Sequence, residues 1–182
     1  MKLLAIDPGN IESAWVLYAN GKPLEWAKFP NKDVRYVVET SEADHLAIEM
    51  IASYGMPVGA EVFETCVAVG RFIEAWRHNF KDGLHRPLPP SLVYRKQVAL
   101  HLCSSPRAND SNVRQAILDR FGGKETAIGR KGSYGPLHGV SGDVWAALGV
   151  AITAAETMPD PTRVSTPDEA KQHIAALREQ LS

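Results

Sequence analysis

Cysteine is scarce in this 182-residue chain: Cys66 and Cys103 are the only two, each in an apolar context and neither in C-x-x-C spacing. That excludes a disulfide framework and a zinc knuckle, and it suits a reducing compartment. Apolar runs long enough to cross a membrane are missing as well. The opening MKLLAIDPGN is broken by Asp7 after a few hydrophobic residues, too short for a signal-peptide core or for the roughly 20 residues of a membrane span. A cytoplasmic protein with no membrane contact is therefore expected. Internal repeats and low-complexity tracts are absent from the sequence, and the formal net charge of −1 argues neither for nor against a nucleic-acid partner. What is present is ordinary: 45% hydrophobic and 23% charged residues, the composition of a packed globular domain. The length suits one core, read as a domain over residues 1–158 followed by a linker and short helix over 159–182.

The charge is unevenly distributed. Between Arg95 and Lys131 eight Lys or Arg (Arg95, Lys96, Arg107, Arg114, Arg120, Lys124, Arg130, Lys131) face three acids (Asp110, Asp119, Glu125), a surplus of five positive charges. A solvated helix face explains such a bias more often than a DNA footprint does.

Hydrophobic periodicity organises the chain. Lys2 to Ile6 reads as a buried strand, and Ser13 to Ala19 with Leu24 to Phe29 forms a hairpin around Asn20-Gly21. Asn31 to Thr40 suits a short helix and His45 to Ile51 a core strand. Phe63, Cys66, Val67, Gly70, Ile73 and Trp76 recur at helical spacing and predict one amphipathic helix over Glu61 to Phe80. Ser91 to Tyr94 is a short strand. Asp110 or Ser111 is expected to cap a helix carrying Val113, Ala116, Ile117 and Phe121, stopped by Gly122-Gly123. The Gly-rich, basic stretch from Gly122 to Gly142 lacks periodicity and predicts a long mobile loop. Asp143 to Thr157 is apolar on nearly every side, a deeply packed helix. Thr166-Pro167-Asp168-Glu169 is a capping box that opens a terminal helix with Ala170, Ile174, Leu177 and Leu181 on one face.

Three acids sit where globular proteins seldom place them. Asp7 ends an apolar strand, Glu49 lies inside one, and Asp143 begins an apolar helix. Each has a local explanation, as a turn residue before Pro8-Gly9, half of a buried ion pair and a helix N-cap respectively. Those explanations do not account for three distant elements each presenting an acid, because buried ionised carboxylates are costly without a cation. Carboxylate oxygens suit Mg²⁺ or Mn²⁺. Two such ions, roughly 3.5–4 Å apart, can clamp the attacking and leaving oxygens of a phosphodiester displacement.

The blocks AIDPGN at Ala5 to Asn10, LAIEMI at Leu46 to Ile51 and SGDVWAALGVAIT at Ser141 to Thr153 resemble, in order and approximate spacing, the motifs of RuvC-type Holliday-junction resolvases. The stretch from Tyr94 to Phe121 is similar to the phage-type branch of that family. The resemblance spans about residues 1–157. It implies an α/β fold of the ribonuclease-H-like type, a mixed central sheet flanked by helices. It also implies a homodimer that cuts opposing strands of a four-way DNA junction, with Asp7, Glu49 and Asp143 as metal ligands and two Mg²⁺ or Mn²⁺ ions per site. One position departs from the family. A fourth acid or His commonly precedes the final Asp by one turn, and Val140 stands there; His138 is the candidate replacement, a surface His with no role being its alternative.

Tyr54 and Met56 follow the Glu49 strand where resolvases place residues against the opened junction, so they are candidate DNA contacts. Lys124, Arg130 and Lys131, with Lys96 from the strand edge, are candidate phosphate contacts. Trp15, Trp26, Trp76 and Trp145 read as core. Three rival readings stand beside a junction resolvase: another ribonuclease-H-like nuclease acting on flaps or RNA, a junction-binding protein without catalysis, and an actin-like or sugar-kinase ATPase. The ATPase reading leaves Glu49 without a role.

Overall fold

The computed structural model describes residues 1–53, 55, 57–79 and 87–157. Five strands form one mixed sheet in the order β3-β2-β1-β4-β5, comprising β1 (Lys2–Asp7), β2 (Glu12–Ala19), β3 (Lys22–Pro30), β4 (His45–Met50) and β5 (Ser91–Tyr94). The first three strands are antiparallel neighbours, whereas β1–β4 and β4–β5 are parallel. The β2–β3 turn falls on Asn20-Gly21 with φ of 52° and 77°, the double left-handed geometry whose twist suits a two-residue hairpin.

Strand alternation divides the core into two layers. Leu3, Ala5 and Ala47 face α6 (Val144–Thr157), α3 (Arg95–Cys103) and α4 (Asp110–Arg120), while Leu4, Ile6, Leu46 and Ile48 face α1 (Asn31–Thr40) and α2 (Ala60–Arg77). Helix α6 lies against the sheet centre with Ala147, Leu148, Val150 and Ala151 all 0% exposed, which explains its lack of a polar face. Trp15, Trp76 and Trp145 are buried and Trp26 is partly buried against the α6 layer, as core packing requires. Among the described residues no helix is long and apolar enough to cross a membrane.

Two expectations are corrected. Helix α4 is capped by Asn109, whose side chain accepts from the Asn112 backbone N–H at 3.0 Å, rather than by Asp110 or Ser111; Asn109 is the residue that keeps an extended ψ of 177°. The stretch from Gly122 to Gly142 is a folded insertion rather than a structureless loop. It contains α5 (Lys124–Ile128) and a small hairpin of β6 (Gly129–Arg130) with β7 (Ser133–Tyr134), and it buries Ala127, Leu137 and Val140. Its glycines serve close approach: a Cβ on Gly135 would lie 2.1 Å from the Thr126 carbonyl oxygen, and Gly129 adopts φ of +76°. Helix α3, for which the sequence carries little amphipathic contrast, extends directly from β5. Helix α2 ends at Arg77 with His78 as its C-cap, short of the expected end at Phe80, and the expected terminal helix lies outside the described residues.

Candidate active site

Asp7 continues the row of Leu3 and Ala5, and Glu49 continues that of His45 and Ala47, so both carboxylates point to the α6 side of the sheet. The parallel pairing reaches Ile6 opposite Ile48, which sets Asp7 and Glu49 side by side one step further on. That step is the carboxyl end of both strands, the rim where open α/β sheets form crevices. Registers to the neighbouring strands complete a row across the sheet: Lys28 pairs with Ala14, Ala14 with Asp7, and Glu49 with Val93. Ala14, between Lys28 and Asp7 in this row, is fully buried in the α6 layer.

The Pro8-Gly9 turn beyond Asp7 is locked from below. Buried Ser13 donates through Oγ to Asn31 Oδ1 at 2.6 Å, and Asn31 Nδ2 donates to the carbonyls of Gly9 and Asn10 at 2.9 and 3.1 Å. The Gly9 N–H in turn donates to Ser13 Oγ at 3.2 Å. This clamp fixes where the Asp7 strand ends.

Asp143 precedes α6 by one residue. Its carbonyl accepts from the Ala146 and Ala147 N–H groups at 3.0 and 3.2 Å, and its carboxylate pairs with Lys28 Nζ at 2.9 Å. Lys28 also reaches Glu12 at 3.5 Å. At the opposite end of the row Arg95, the first residue of α3, pairs with Asp110 on the first turn of α4. A cleft of about 230 Å³ is lined by Asp7, Glu49, Arg95, Asp110, Asp143 and Trp145. A second, of about 270 Å³, shares Asp7, Glu49 and Arg95.

Electrostatics single out the central pair. Burial, then the charges of Glu49 and Asp143, push the Asp7 carboxyl up to about 8. Burial also raises Glu49, against the lowering influence of Arg95 and of its hydrogen bond with Asp7. Two carboxylates in contact cannot both ionise cheaply, so the pair as a whole holds on to a proton. Such a pair is short of positive charge.

A hard divalent cation fits that deficit, because the donors are carboxylate oxygens. Asp7 and Glu49 already converge, and Asp143 stands at the rim with its side chain turned to Lys28. As they stand, no three His, Cys, Asp or Glu side chains among the described residues are grouped closely enough to hold an ion. The Asp143 side chain is 54% exposed, and it would have to turn from Lys28 toward the pair to share an ion with it.

The other candidates from the sequence are dispersed. His138 is exposed, its ring stacked on Tyr134 with centroids 3.9 Å apart, and it lines neither cleft. Val140 is buried in the α6 layer and offers no ligand. Lys96 lies exposed on the first turn of α3 rather than at a strand edge, and Lys124, Arg130 and Lys131 are exposed on the folded insertion; none of these lines either cleft. Tyr54 and Met56 lie outside the described residues. Sequence reasoning missed Lys28, Arg95, Asp110 and the Ser13–Asn31 clamp. Only Lys28 left a signal, since it alternates with Trp26 on the inward face of a strand.

No protein-family model and no curated protein matches the chain. Among solved structures, it is similar to Thermus thermophilus RuvC at 19% identity and a TM-score of 0.58, covering 85% of this chain and 93% of that one. It is also similar to T. thermophilus RuvC in complex with Holliday junction substrate, at 17% identity and a TM-score of 0.61 with the same coverage. The fold is thus RuvC-like and ribonuclease-H-like, a mixed five-stranded sheet flanked by helices.

Proposed function

We propose that this chain is a metal-dependent endodeoxyribonuclease that cuts four-way DNA junctions as a homodimer, with Asp7, Glu49 and Asp143 holding two Mg²⁺ or Mn²⁺ ions. The observation that carries the reading is the contact of two half-buried carboxylates on adjacent parallel strand ends, with a third acid at the rim of the same cleft. A RuvC-like fold supports it, since T. thermophilus RuvC, which shares that fold, is seen in complex with Holliday junction substrate. The chain's own residues supply ligands and order: β1 and β4 fix Asp7 and Glu49, the Asn31 clamp holds the turn behind Asp7, and the turn into α6 carries Asp143 while α6 keeps bulk water from below the pair. When bound, the ions would activate a water as nucleophile and stabilise the leaving oxygen.

Dimerisation is supported by α2, which leaves Phe63 and Val67 61% and 53% exposed one turn apart. A two-fold pair presents two equivalent sites to a nearly two-fold junction. Light scattering that finds monomer alone while paired cuts persist would sink this part of the reading. The basic side chains of the folded insertion, Lys124, Arg130 and Lys131, together with Lys96, Tyr54 and Met56, are assigned to DNA contact, and the Tyr94 to Phe121 resemblance favours the phage-type branch. In this reading His138 serves as a fourth ligand once its ring leaves Tyr134.

The buried Val140 at the fourth-ligand position favours one second reading, a protein that binds junctions without cutting them. A cleavage assay with Mg²⁺ or Mn²⁺ on four-way junctions, flaps, duplex and RNA–DNA hybrid separates the possibilities. Preferential paired nicking of the junction supports the proposal. Binding without cleavage supports the second reading, and preference for flap or hybrid moves the chain to another nuclease of the same fold.

A further inference from the structure

We propose that Arg95 forms a phosphate-binding subsite of the cleft, gripping the phosphodiester group presented to Asp7 and Glu49, with Asp110 as the residue that positions it; this assignment rests on the nuclease reading above. Among the described residues lining the cleft, four are acids (Asp7, Glu49, Asp110 and Asp143) and Arg95 is the one cation. A phosphate approaching such a surface is repelled, and the repulsion is not small: about 4 kcal/mol for two unit charges 4 Å apart near a protein surface. Ions held by the acids would offset much of it, and a cation fixed in the cleft adds to that while giving the phosphate a directed contact. Arg95 occupies the place where both clefts meet, and its planar fork matches phosphate oxygens in a way that an ammonium does not.

The placement is rigid. Glu49 pairs with Val93 and Met50 with Tyr94, so Arg95 follows the β5 end immediately beside the Glu49 strand, and Val98 and Ala99 anchor its helix in the core. Asp110 engages one terminal nitrogen of the guanidinium, which leaves further donors of its five. The ion pair has little to do for stability. The Asp110 side chain is 92% exposed, and exposed pairs contribute little in water. Its consequence is orientation, because it fixes a long side chain at the mouth of an acidic cleft. Lys28, the other cation at this end of the sheet, is already engaged by both Asp143 and Glu12.

The test is fluorescence anisotropy of the full chain with a labelled four-way junction in Ca²⁺ over a salt series, alongside cleavage of the same junction in Mg²⁺. Arg95→Gln should weaken binding by about tenfold, the worth of one charge-assisted contact, and flatten the salt slope by about one phosphate contact. Arg95→Lys should restore the slope without restoring the cleavage rate, since it returns charge but no fork. Asp110→Asn should show a smaller loss of affinity with the slope kept. Unchanged affinity and slope in Arg95→Gln overturns the subsite, even if the wild type cuts junctions. A weakened, flattened Arg95→Gln with no cleavage by the wild type keeps the subsite and overturns the nuclease reading. Failure of the wild type to bind DNA overturns both. Should Arg95→Gln not fold, Arg95→Lys decides: wild-type cleavage and binding in that variant removes the need for a fork.

Discussion

The two faces of the sheet differ most at neighbouring residues. Ile6 and Ile48 point to the α1–α2 side and are 0% exposed among hydrocarbon, while the next residue of each strand, Asp7 and Glu49, points to the α6 side and carries an acid. One face is optimised for packing. On the other, the row from Lys28 to Val93 holds groups whose close approach is unfavourable without an added cation. Proteins tolerate such local conflict where function needs it.

Asp7→Asn gives the sharpest contrast. It should remove cleavage by a thousandfold or more, about 4 kcal/mol of transition-state stabilisation, while leaving the metal-free fold at least as stable, because one of two crowded acids is neutralised. Wild-type protein should gain melting temperature on addition of Mn²⁺ and the variant should lose most of that gain. Retained activity would remove Asp7 from the site.

On the other face the expectation reverses. Ile48→Ala, one residue from Glu49, should cost about 2–5 kcal/mol of folding stability, read by denaturant unfolding, with the Mn²⁺-induced stabilisation retained. A variant that folds normally yet loses the metal response would erase the division between the faces.

A smaller effect is expected at Lys28. Lys28→Met frees Asp143 of its partner, so Mn²⁺ affinity measured by calorimetry should tighten, with stability nearly unchanged because the pair is solvent-exposed. Weaker Mn²⁺ binding would instead make Lys28 a support for the Asp143 carboxylate.

The smallest effect concerns His45, which shares the α6 side of β4 with Glu49 at the far end of the strand. His45 is buried, its Nε2 lies 3.1 Å from Ser91 Oγ, and burial lowers its pKa. A depressed folded value on a base means that the unfolded chain binds the proton more readily. Stability is therefore kept at neutral pH and lost as pH falls through the ordinary histidine value of about 6.5. Unfolding midpoints at neutral and acidic pH should show this loss in the wild type and a flatter profile in His45→Gln. An equal pH dependence in both would assign the loss to other groups.

Much of the fold was legible. The strand and helix spans of the first fifty residues follow from alternation, a turn dipeptide and apolar runs, all signals carried by neighbouring residues. Helix α3 was not legible, since its sequence offers almost no amphipathic contrast and its helicity comes from burial of Val98 and Ala99 under α6. The glycines of the insertion misled for a related reason: Gly129 and Gly135 look like mobility in one dimension and are close backbone contacts in three.

For the candidate site, the sequence alone determined which acids were out of place, because a carboxylate inside an apolar segment is anomalous whatever the fold. It also placed Asp7 and Glu49 at strand positions that alternation could carry to one face. Only the tertiary structure decided that β1 and β4 pair in parallel and in register, that Lys28 reaches Asp143, and that Arg95 stands between the acids and Asp110. Hydrophobic pattern records how each segment meets the core, whereas contacts between segments depend on register and crossover, which no local pattern of residues encodes.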